Sequence, residues 1–140
     1  MDDANQSGLE SAWKELWSAF RGTLSWKWDN RFETVLAEFG AGKKEGIRAI
    51  LEQYLRITWD GSNIGNAPEI VRKINCLLGG LRPGQLLFTS DPDREAFIFS
   101  AWWPWGNGKT ISIRIGSSFK KLSDSEKAEK IQLFKKSFGI

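Results

Sequence analysis

The chain predicts an α+β domain: four N-terminal helices, a three-stranded antiparallel β-meander and a C-terminal helix, with the helices packed on one face of the sheet. Two observations carry that expectation. Apolar residues recur at intervals of three and four through the first 81 positions and again after Ser123, whereas from Leu86 to Gly116 the period falls to two. Turn chemistry then separates the alternating runs, in "SDPDRE" and in Gly106-Asn107-Gly108.

The first helix follows from Leu9, Ala12, Trp13, Leu16, Trp17 and Phe20, with "SGLE" from Ser7 to Glu10 in capping-box form. A second is predicted over Asp29 to Phe39, with Phe32, Val35, Leu36 and Phe39 on one face and Gly40 to end it. Between the two, "WKW" (Trp26 to Trp28) reads as a loop plug over the end of the helical core. The third helix follows "GKKEG" and carries Ile47, Ile50, Leu51, Tyr54 and Leu55. After the polar loop Asp60 to Ala67, Asn66 reads as a cap and Pro68 as a first-turn residue of the fourth helix. Its apolar stripe is Ile70, Val71, Ile74, Leu77, Leu78 and Leu81. The last helix begins near Ser123, where "SDSE" is again a capping box, and turns Ala128, Ile131, Phe134 and Phe138 inward.

Between these helices, Leu86 and Phe88 alternate in a first strand. "AFIFSAWW" and "KTISIRIG" form the two arms of a hairpin. A three-residue glycine loop would set Trp105 opposite Lys109, Trp103 opposite Ile111, Ala101 opposite Ile113 and Phe99 opposite Ile115. That register places Trp103 in the core with Phe97, Phe99, Ala101 and the three isoleucines. It leaves Trp102 outside with Ser100, Ile98 and Arg114, where a cation–π contact is available.

The 140 residues fit one domain, 1–140, with no dividing linker and with residues 1–7 expected to be disordered. A single cysteine, Cys76, gives no disulfide framework, and "MDDANQSG" carries no secretory pattern. No apolar run approaches the roughly 18 residues of a spanning helix, so a cytoplasmic protein without membrane contact is expected.

Histidine is absent, which removes the commonest general base and the commonest zinc ligand. "GNGKT" lacks the leading glycine of a P-loop, Trp103 standing there, and runs into a strand rather than a helix. "DPDRE" lacks the glycine and distal glutamate of a calcium loop. Neither an enzyme nor a cofactor or metal site is expected.

Charge is uneven. Residues 1–60 hold eight Lys/Arg and ten Asp/Glu, and residues 61–140 hold twelve and seven. From Lys109 onward eight basic residues face three acidic ones. Together with eight tryptophans, this points to a small protein-binding module of inhibitor, immunity, antitoxin or chaperone type, whose partner protein presents an acidic surface. The expected contact residues are Trp102, Trp105, Arg114 and Lys109. Lys127, Lys130, Lys135 and Lys136 of the last helix add electrostatic attraction. The alternative is single-stranded nucleic acid, with Trp102 and Trp105 stacking on bases and the same cations following phosphates. The acidic N-terminal half opposes that alternative.

Overall fold

The computed structural model describes residues 2–140, with side chains from residue 8 onward. It is α+β, but the expected order of four helices, a three-stranded meander and a final helix does not hold. Among the described residues there are four α-helices and a six-stranded, wholly antiparallel sheet. The stretch expected to be the second helix is a hairpin, β1 (Lys27–Asp29) and β2 (Thr34–Gly40). Asp29 begins its turn, accepting from the Arg31 backbone N–H at 3.1 Å. A further short strand, β3 (Ile57–Trp59), follows the third predicted helix.

The helices are α1 (Asp2–Phe20), α2 (Lys44–Leu55), α3 (Glu69–Leu77) and α4 (Asp124–Ser137). The meander itself is present as β4 (Leu86–Thr89), β5 (Ala96–Pro104) and β6 (Thr110–Phe119). It forms the middle of the sheet, whose order is β1-β2-β6-β5-β4-β3.

Helix starts partly follow the expected chemistry. Ser123 caps α4, its hydroxyl accepting from the Glu126 N–H while the Glu126 side chain returns to the Ser123 N–H. At α3 the cap is Pro68, not Asn66, which belongs to a short 3-10 turn. Helix α1 starts at Asp2, ahead of the expected cap at Ser7. The expected disorder over residues 1–7 falls on a stretch whose side chains lie outside the described residues.

Helices cover both faces of the sheet, not one. On the first face α1, α2 and α4 bring Trp13, Phe20, Leu51 and Phe134 against Val35, Phe39, Phe88, Trp102 and the isoleucines of β6. On the second face α3 sets Val71, Ile74 and Leu78 against Leu87, Phe97, Phe99 and Ala101. That second layer explains why "AFIFSAW" is apolar at nearly every position, since a strand covered on both sides has no solvent face. Trp26 does plug the helical end, edge-on to Phe20 at 5.5 Å and to Phe138 at 5.1 Å, but Lys27 and Trp28 of the same stretch belong to β1 and not to a loop. No helix among the described residues is long and apolar enough to cross a membrane.

Candidate functional site

The β5–β6 hairpin positions the expected contact residues, and its loop is one residue longer than the sequence pattern implied. Trp105 donates to the Thr110 carbonyl at 2.8 Å, which closes a four-residue loop, Gly106 to Lys109. Asn107 fixes it: its Oδ1 accepts from the backbone N–H of Lys109 at 2.8 Å and of Thr110 at 3.1 Å. The extra residue shifts the ladder, so that Trp102 lies opposite Ile113, Trp103 opposite Ser112 and Ala101 opposite Arg114. A one-residue slip exchanges the faces of one strand's side chains relative to those of its partner.

The two adjacent tryptophans therefore trade places. Trp102 is 4% exposed and stands edge-on to Phe39 at 5.7 Å and Phe88 at 6.2 Å. Trp103, half-buried, lies under the Arg114 guanidinium at 4.4 Å. Arg114 also lies 5.5 Å from the Phe32 ring and donates to Asp29 Oδ2 at 2.8 Å. The salt bridge is largely shielded, with the two side chains 18% and 14% exposed. Arg114 is thus an internal clamp joining β6 to β1, on the face opposite Trp102.

Trp105 and Lys109 remain at the hairpin tip. Trp105 is 43% exposed, and Lys109 is exposed as well. The Lys109 carbonyl accepts from the Ala41 N–H at 2.8 Å, tying the tip to the approach to α2. Between tip and helix opens a cleft of about 410 Å³, with Trp102 and Ile111 at its base, Trp105 at its rim, and Lys44, Glu45 and Arg48 along the α2 wall. Arg48 is paired with Glu52 at 2.8 Å. Sequence reading missed Lys44 and Arg48 because they meet the hairpin only through the fold. The stacking platform expected of Trp102 and Trp105 reduces to Trp105 alone.

The lysines of α4 do not act as one patch. Lys130 pairs with Glu10 at 3.1 Å, and Lys135 lies over the Trp28 ring at 4.8 Å. Lys136 is exposed, and Lys127 lines a second, larger groove between α3 and α4. Cys76 is exposed on α3. Among the described residues no group of three or more His, Cys, Asp or Glu side chains is placed to hold a metal ion.

Compared with models of protein families, with curated proteins and with solved structures, the chain matches none.

Proposed function

We propose that the protein acts by binding another protein, as a small inhibitor-, immunity- or chaperone-like module, and that the bound partner presents an acidic surface. The observation that carries the reading is the hairpin cleft. Trp105 stands at its rim in contact with solvent, above an apolar base, with Lys44, Glu45 and the Glu52-paired Arg48 on the facing wall and Lys109 in the loop beside it. A tryptophan set half out of water on a hairpin whose loop is closed by hydrogen bonds is a suitable interface anchor, because its backbone is already placed before association. Neighbouring cations would steer an acidic partner and speed its encounter. In this reading Trp102 supports the cleft from below, and Arg114 holds the sheet rather than touching the partner. No catalytic step belongs to the reading.

The test is co-purification from the native host at endogenous level, followed by binding of the recovered partner to purified variants. Trp105→Ala should weaken that partner by about thirtyfold or more, the scale of a lost hot-spot tryptophan. Lys44→Glu should slow association and flatten its salt dependence. Unchanged affinity in Trp105→Ala would sink the reading, as would tighter capture of mixed single-stranded RNA than of any protein.

A further inference from the structure

Pairing along β6 alternates from residue to residue. Its even-numbered positions bond to β5: the Lys120 N–H donates to the Glu95 carbonyl at 2.9 Å, and the Thr110 carbonyl accepts from Trp105 at 2.8 Å. Odd-numbered positions face the other way, as the Lys109 carbonyl shows by accepting from Ala41. On that side β2 accompanies β6 only as far as the pair Val35–Ile115. The residue that would come opposite Ser117 is Glu33, and its φ of +53° turns the chain out of the sheet. Ser117 and Phe119 therefore direct their backbone N–H and C=O groups to a side where no strand follows among the described residues. Both are only half-buried. Such an unpaired edge is a template for a further strand.

This edge is also the floor of the second groove, whose volume is about 770 Å³. One wall is α3, with Ile74 and Leu77, and Leu77 is 68% exposed. The opposite wall is α4, with Lys127 and Ile131. Arg31, Lys73, Lys120 and Lys127 line the groove with a single carboxylate, Glu33; Lys120 is held by the Pro92 carbonyl and Arg31 lies over the Phe32 ring, which leaves Lys73 and Lys127 as the cations that face a ligand. Apolar walls, free main-chain groups and a cationic border thus meet in one concavity.

We propose that this groove receives an extended acidic segment of a partner protein, which adds to β6 as a short strand continuing the line of β2. Main-chain bonds to Ser117 and Phe119 supply attachment, and alternate side chains enter the walls toward α3 and α4. Apolar residues sit at the centre of the segment and carboxylates flank them, meeting Lys73 and Lys127. A second copy of this chain does not suit the groove, because two cationic borders would be brought together. The site shares no lining residue with the hairpin cleft, so it goes beyond the function proposed above and stands or falls separately from it.

The probe is a labelled heptapeptide with three central valines between pairs of aspartates, titrated into the full chain and followed by anisotropy. Saturable binding is expected, weaker at high salt. Methylating the peptide's backbone nitrogens at the alternate positions that face β6 should weaken it at least about tenfold, since the added strand then lacks its donors. Lys73→Glu combined with Lys127→Glu should do the same, and peptide should slow amide exchange at Ser117 and Phe119. The proposal is overturned by absence of saturable binding, by binding that is indifferent to methylation at both sets of alternate nitrogens, or by polyuridylate displacing the peptide. If the double variant misfolds, the methylated peptides still decide, because they leave the protein unaltered.

Discussion

Trp102 is enclosed by Phe39, Phe88 and the isoleucines of β6, so truncating it leaves a large hole in the main core. Trp102→Ala should cost about 3–5 kcal/mol in a urea titration. Trp103→Ala should cost clearly less, mainly its partial burial and a cation–π contact with Arg114 of about 1–2 kcal/mol. Thr34 is a different kind of residue. It is fully buried, and its Oγ1 has no hydrogen-bond partner among the described residues. Thr34→Val keeps the shape and removes the orphaned hydroxyl, so the melting temperature should rise, by an amount equivalent to about 1 kcal/mol. Gly116 is tightly confined, because a Cβ there would lie 2.6 Å from the Phe99 ring and 3.0 Å from Thr34 Cγ2. Gly116→Ala should destabilise by about 1–3 kcal/mol in the same titration, as overpacking does.

Turn chemistry decides how the elements join. The Asn107 side chain holds the four-residue loop that sets the β5–β6 register. Asn107→Ala should lower stability by about 1 kcal/mol in urea and speed amide exchange at Thr110 before it affects the helices. Helix α2 ends on Arg56, whose φ of +30° is left-handed and costs a non-glycine residue free energy. In the loop after β3, the Ser62 hydroxyl and backbone N–H hold the Asp60 carboxyl below its usual range. The loop is therefore supported above the ordinary carboxylate range, and that support is lost as pH falls through the lowered value. Asp60→Asn should remove this acid-side loss, seen as a protection factor of the Asn63 amide that no longer falls with acid. The hardest element to read was the β1–β2 hairpin. Phe32, Val35, Leu36 and Phe39 fall at helical spacing, yet β2 is an inner strand whose first four residues are all buried, so alternation never shows.

At the scale of the whole molecule, the chain's two ends close over the first face of the sheet. Trp13 of α1 meets Phe134 of α4 at 5.2 Å and donates to the Ser117 hydroxyl at 2.7 Å, while Lys130 of α4 reaches Glu10 of α1. Phe134→Ala should therefore cost about 3–5 kcal/mol in one cooperative transition, because it loosens both terminal helices together. The opposite face is covered over β5 and β4 by α3, while over β1 and β6 it is held by Arg114, Asp29, Phe32 and Trp103.

Much of the local chemistry was legible in the sequence, although the starts of α1 and α3 were not where Ser7 and Asn66 placed them. The helices at α1, α2, α3 and α4, the Ser123 capping box and the three strands of the meander all follow from spacing and turn residues within a few positions. The coarse class, α+β, follows from them. What only the tertiary structure decided is whatever depends on distant chain. An inner strand and a helix both present unbroken apolar runs, and only the neighbours β1 and β6 make residues 34–40 a strand. The register of the hairpin turned on one residue of loop, which the alternation of apolar residues does not specify when both faces are covered. With that residue the inward tryptophan changed from Trp103 to Trp102, and Arg114 passed from a candidate contact to a clamp on Asp29. The hairpin cleft and the open edge of β6 were invisible for the same reason: each is bounded by side chains that folding brings together from positions far apart in the chain.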